Sequence, residues 1–281
     1  MKLIVPDIFS AALRQSWRQR RALFDIALLP IVFSLVIDMV FKPLLVDTNY
    51  TIDLQRNPAG MMLGIIAYFL LSLMPWAAFA VGWTRHCLVG MPAAHASWTW
   101  RETRYFGAML KLFLVYAGCL FLALMALMIL RGGQMPTSKS LVLMGLGLLF
   151  AVGYLLARLC LVLPAAAVDL RFDLGTALRY SQRNGWRLFV VLILLLLLAY
   201  FGGLFVVIVV ARLLMLAFGQ PLTLGPDTVL TLIEEIVSYG LSAPFLAAMA
   251  MSFRQLTGWR PDGELGPLPQ TQTTPTHHGG A

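Results

Sequence analysis

Residues 163–198 read LPAAAVDLRFDLGTALRYSQRNGWRLFVVLILLLLL. The stretch closes one hydrophobic run, passes through a short polar segment, and opens a second, unbroken aliphatic run. In the polar part Asp173 is placed to cap a helix start. Leu174, Ala177, Leu178 and Ser181 then recur at helical spacing on one side, with Arg179, Gln182 and Arg183 towards the other. Asn184-Gly185 is the expected terminator. Trp186 and Arg187 stand at the threshold of the aliphatic run, where indole and guanidinium groups settle at headgroup depth. The stretch therefore predicts a basic amphipathic collar lying on a membrane surface between two spans.

Working outward, the 281 residues are 59% hydrophobic and 12% charged, far from the roughly one-quarter charged content of soluble domains. Crossing a bilayer takes about 20 apolar residues, and six such runs occur, near 22–41, 61–83, 107–130, 141–163, 188–211 and 228–251. The expected fold class is all-α: a polytopic membrane protein whose six transmembrane helices occupy residues 1–260 and leave no room for a soluble domain of ordinary size. Residues 261–281, rich in Pro, Gly, Thr and Gln without periodicity, are expected to form a disordered cytoplasmic tail. The first run has spanning length and reads as an uncleaved anchor. Pro30 and Pro75 are expected to kink the first two spans.

Two further collars are expected. In residues 1–21, Asp7 is a candidate cap, Phe9, Leu13 and Trp17 are spaced by four, and Arg14, Arg18 and Arg21 lie opposite. Residues 93–106 carry Trp98, Trp100 and Tyr105.

A net charge of +8 could suggest nucleic acid, but its placement argues for a membrane instead. Sixteen of the 21 Lys and Arg fall on the side of the collars and five on the other, which by the positive-inside rule puts both termini in the cytoplasm. The expected partner is the bilayer, through anionic headgroups on the cytoplasmic side. The candidate contacts are Arg14, Arg18, Arg101, Arg179, Arg183 and Arg187, each worth on the order of 1 kcal/mol.

An internal repeat is also visible. Ala12-Leu13-Arg14-x-Ser16 with Leu23-Phe24 matches Ala177-Leu178-Arg179-x-Ser181 with Leu188-Phe189 at one constant offset, and Arg85-x-Cys87-Leu88-Val89 matches Arg158-x-Cys160-Leu161-Val162. Three tandem units of a collar and two spans follow, at 7–90, 93–163 and 173–254, related about an axis along the membrane normal.

The sequence from Arg158 to Phe189 has an Arg near the inner end of an even span, then Leu-x-Leu-Pro-Ala, an acidic residue, a small Ala-Leu-Arg-x-Ser helix, and Trp-Arg-Leu-Phe opening a leucine-rich span. It resembles the YciC-like bacterial inner-membrane proteins and the membrane domain that precedes the catalytic barrel in some glycerophosphodiester phosphodiesterases. The likeness covers residues 140–215 best. It departs in having Asp169 where Glu is more usual and Asn184 before the expected Gly, and no catalytic barrel follows. The resemblance implies a six-span fold in a bacterial inner membrane, without a defined biochemical role.

Cofactor and metal motifs are not apparent. His86 and Cys87 are adjacent but isolated, His277-His278 lie in the tail, and Cys87, Cys119 and Cys160 read as small apolar packing residues. Gly60-x-x-x-Gly64 is a weak helix-contact pattern. Acids within spans are expensive. Asp25 is expected to pair with Arg21, and Asp38 with Lys42. Glu234 and Glu235 lie about two turns into the sixth span, with Arg212 as the available partner; they read either as a tie between the last two spans or as a proton- or substrate-binding site.

Two functions are consistent with these features. One is a non-enzymatic module, organising or regulatory, that engages lipid or a membrane or cytoplasmic protein partner. The alternative is a small-solute transporter or channel-like protein built around Glu234 and Glu235. No acid–base pair or nucleophile set suggests an enzyme.

Overall fold

The computed structural model describes residues 3–45, 58–90, 98–130, 138–218, 224–261 and 265–266. The described residues form nine α-helices and no strand. The first is α1 (Val5–Arg18), followed by α2 (Arg20–Leu45), α3 (Pro58–Val89), α4 (Trp100–Leu130) and α5 (Ser138–Leu159). The short α6 (Val162–Ala167) and α7 (Leu174–Ser181) come next, then α8 (Gly185–Phe218) and α9 (Leu224–Thr257). Six segments are long and apolar enough to cross a membrane: Arg20–Phe41, Met62–Val89, Trp100–Ala123, Phe150–Ala167, Gly185–Leu213 and Val229–Thr257. The protein is therefore an all-α, six-span membrane protein. Its outer surface suits hydrocarbon rather than water: Leu28, Leu63, Leu122 and Phe205 are 66–70% exposed.

The bundle is organised around α9, which packs against α8, α1, α3, α2, α6 and α7. Leu246, Ala247, Ala248, Met249 and Ala250 are all at most 1% exposed, so this part of α9 is enclosed on every side. Lipid tails are as apolar as leucine, so helices associate in a bilayer by close packing rather than by a hydrophobic drive. Ala243, Ala247, Ala250 and Ser252 supply the small side chains that permit it. Trp83 fills the space beside them, its Nε1 donating to the Ala243 carbonyl at 2.8 Å next to Pro244. Further along, the Tyr239 and Ser34 hydroxyls lie 2.9 Å apart, and Phe79 meets the Tyr239 ring edge-on at 5.0 Å. On the lipid side, α8 presents Leu196, Tyr200, Phe201 and Phe205, all exposed.

Helix starts and stops differ from expectation at several points. The N-cap of α1 is Ile4, not Asp7: Pro6 presets the first turn, and Asp7 sits within it, where its charge faces the positive end of the helix. The buried face of α1 is Ile8, Ala12 and Ser16, while Trp17 is 73% exposed. The second collar is not a separate surface helix. Its residues 93–97 lie outside the described residues, and from Trp100 onward the chain is already α4, continuous into the span. Thr99 and Glu102 explain why. The Glu102 carboxylate accepts from the Thr99 N–H at 2.7 Å and from its hydroxyl, and Thr99 Oγ1 accepts from the Arg101 N–H, a capping box that starts the helix there.

Gly185 does not terminate α7; it begins α8, and α7 is capped by Gln182. A Cβ at Gly185 would lie 2.9 Å from Arg158 Cδ and from the Tyr154 hydroxyl, so glycine is required there for close approach of α5 to α8. Asp173 does cap α7, accepting from the Thr176 N–H at 3.0 Å, and these hydrogen bonds from Thr176 hold its carboxyl below the ordinary range. Within the segment expected to be disordered, Gly266 donates to the Thr257 carbonyl at 2.8 Å and accepts from the Tyr180 hydroxyl at 2.9 Å. Residues 267–281 lie outside the described residues.

Candidate functional site

Polar chemistry concentrates at the end of the bundle that carries α1, α7 and the C-terminus of α9. Three contacts staple distant parts of the chain together there. The Leu3 N–H donates to Asn184 Oδ1 at 3.0 Å, while Arg187 Nη1 donates to the Leu3 carbonyl at 3.0 Å. The buried backbone of Leu3 is thereby satisfied by the junction of α7 and α8. Arg158 donates through Nε to Ser181 Oγ at 3.1 Å and through Nη2 to the Leu178 carbonyl at 2.8 Å, closing the negative end of α7 with a cation. Burial among Phe172 and its neighbours raises the Tyr180 hydroxyl above its ordinary range.

The third contact set has the densest charge. Asp169 follows α6 with φ of 62°, a left-handed backbone that Asp tolerates better than most residues. Arg101 Nε donates to its Oδ2. Arg104 Nη1 lies 3.6 Å from Oδ1, and Arg85 Nη1 lies 3.9 Å from Oδ2. Arg85 also donates to the Ala167 carbonyl at 3.2 Å, and Arg104 to the carbonyls of Asp169 and Leu170 at 3.5 Å each. Arginines from the end of α3 and the start of α4 thus converge on the loop that ends α6, three cations around one carboxylate. Each of the four side chains is 23–45% exposed.

The six arginines expected at headgroups divide accordingly. Arg14, Arg18, Arg179 and Arg183 are exposed, Arg14 also donating to Ser10 at 3.1 Å and 3.3 Å. Arg101 is exposed but paired with Asp169, and Arg187 is half-buried on Leu3. Arg20, not singled out from the sequence, stacks over Trp17 with 5.6 Å to the ring centre.

The acids fare differently. Arg212 and Glu234 are exposed and Glu235 is half-buried; among the described residues Arg212 forms no ion pair with either glutamate. Asp25 is exposed, and no Arg21–Asp25 ion pair forms among the described residues. An Arg placed four residues before an acid is the weaker helical order. Asp38 is 7% exposed and accepts from the Tyr68 hydroxyl at 2.8 Å; the Lys42 side chain lies outside the described residues. An acid of the first span is thus drawn against the second span, beside Ser34 and Tyr239 at the junction with α9. No family model, curated protein or solved structure matches the chain.

Proposed function

We propose that this protein is a non-enzymatic membrane module of a bacterial inner membrane, with both termini in the cytoplasm. Its basic end engages anionic headgroups and so organises or regulates a membrane or cytoplasmic protein partner. The observation that carries this reading is the exposure of Arg14 and Arg18 on α1 and of Arg179 and Arg183 at α7, at the end where α1 and α7 both pack on α9. Segregation of Lys and Arg to this end supports its cytoplasmic orientation, and the likeness to YciC-like proteins supports the choice of membrane. At about 1 kcal/mol per arginine near an anionic surface, changing all four to Gln should weaken anionic-lipid association by roughly 4 kcal/mol at low salt. The test is the enrichment of anionic lipid around the purified protein in nanodiscs of mixed composition. An unchanged lipid preference in the quadruple variant would remove the support.

A second reading, a small-solute transporter, is favoured by the intramembrane pairs Asp38–Tyr68 and Ser34–Tyr239 between α2, α3 and α9. It requires proton- or solute-driven flux in proteoliposomes that Asp38→Asn abolishes.

A further inference from the structure

We infer that Arg85, Arg101 and Arg104 form a phosphate-binding site at headgroup depth, in which Asp169 is a resident anion that a phosphate group competes with. The inference extends the lipid-facing reading above but rests on a different set of residues.

Three features carry it. The first is charge: three guanidiniums face one carboxylate, and the nearest further acid, Glu102, is already held by Thr99 at the start of α4. Counting Glu102 as well, a cation remains in excess. A tie whose only task was to fasten the loop after α6 to α4 needs one guanidinium.

The second is geometry. Only Arg101 makes a close contact with the carboxylate; Arg104 and Arg85 stand off at 3.6 Å and 3.9 Å. Their other protein acceptors are the carbonyls of Ala167, Asp169 and Leu170, at 3.2–3.5 Å. A guanidinium presents a planar fork of N–H donors matched to carboxylate and phosphate oxygens. The carboxylate engages one fork, which leaves the other two half-used and partly exposed. A phosphate group, with more oxygens and more charge, satisfies all three at once.

The third is depth. Arg85 lies at the end of one span, Arg101 and Arg104 at the start of the next, and Asp169 just past the end of a third. Trp98 and Trp100, 43% and 73% exposed, flank the cluster in sequence, at the level where indoles mark the membrane interface. The anion at that level is the phosphate of a phospholipid; a soluble phosphate has the same chemistry and is separated from it by experiment.

The test is native mass spectrometry of the full chain, released from detergent, titrated in separate arms with phosphatidylglycerol, phosphatidylcholine and inorganic phosphate. A saturable, single-lipid adduct with phosphatidylglycerol is expected, weakened about tenfold or more in R101Q/R104Q, equivalent to losing one charge-assisted contact. The same adduct should persist in the R14Q/R18Q/R179Q/R183Q protein, so failure of the diffuse headgroup reading and failure of this site give different results. Because R101Q/R104Q could loosen the fold, Asp169→Asn supplies an independent reading: removing the resident anion should tighten the adduct, whereas a purely structural tie predicts no tightening. Saturation by inorganic phosphate at equal affinity supports the site and assigns it to a soluble anion. Absence of a saturable adduct with either, or an Asp169→Asn protein that binds no more tightly than the parent, overturns the inference.

Discussion

Gly185→Ala adds one methyl group at the start of α8, and the structure sets its consequence. The new carbon would lie 2.9 Å from Arg158 Cδ and the Tyr154 hydroxyl and 3.0 Å from Arg158 Cγ. These are not the free end of a swinging side chain, because the Arg158 guanidinium is fixed beyond them on Ser181 and Leu178. To make room, either α5 and α8 separate or Arg158 leaves the end of α7. Overpacking of this kind costs about 1–3 kcal/mol, and the two arginine hydrogen bonds are worth about 1 kcal/mol or more each. The opposing gain in helix propensity is at most about 1 kcal/mol, and is smaller at a first helical position. The net expectation is a loss of about 1–3 kcal/mol. Gly118→Ala is the control, since Gly118 is exposed on α4 with nothing within 4 Å of its added carbon; it should be neutral or slightly stabilising. Both are measured by reversible unfolding in mixed detergent and dodecyl sulfate micelles, followed by tryptophan fluorescence. A Gly185→Ala protein as stable as the parent, or an equal loss in Gly118→Ala, would refute the packing account.

Two further outcomes are expected. Asn184→Ala leaves the buried Leu3 N–H without its acceptor and should cost about 1–2 kcal/mol, seen as faster proteolysis or amide exchange of the N-terminal segment while the spans stay protected. Asp173 has its carboxyl held below the ordinary range in the folded state by hydrogen bonds from Thr176. Its contribution to α7 is therefore complete above the unfolded value near about pH 4 and is lost as pH falls through the lower folded value. Amide exchange of residues 174–181 should accelerate on that acid limb and lose its pH dependence in Asp173→Asn, which caps without titrating; an identical acid limb in the variant contradicts the assignment.

The spans were legible because a bilayer demands long apolar runs, and a run such as 188–198 permits no other reading. What packs against what was not, because every span satisfies the same demand. The central place of α9 is written in its small residues, Ala243, Ala247, Ala250 and Ser252, a signal less conspicuous than the paired glutamates earlier in the same helix. The start of α4 is encoded in Thr99-x-x-Glu102, a local pattern outweighed by the indoles around it. The Asp169 cluster was out of reach for another reason. Its partners lie 65–84 positions away in sequence, and a lone acid after a hydrophobic run does not announce which cations the fold will bring to it. Arg187 shows the same limit in reverse: its position beside Trp186 matches a headgroup contact, yet the nearby backbone of Leu3 claims it.

The enclosed position of α9 has a consequence for biogenesis. Of the six membrane helices it is the latest to be synthesised, yet α1, α2 and α3 each pack against it, so those helices enter the bilayer before the surface they are shaped for exists. The early segments must wait as loosely associated rods, with Ser34 and Trp83 lacking the partners that α9 brings, until its insertion draws them inward. Assembly then finishes from the middle, and a ribosome stalled before residue 224 would leave a shell with no axle.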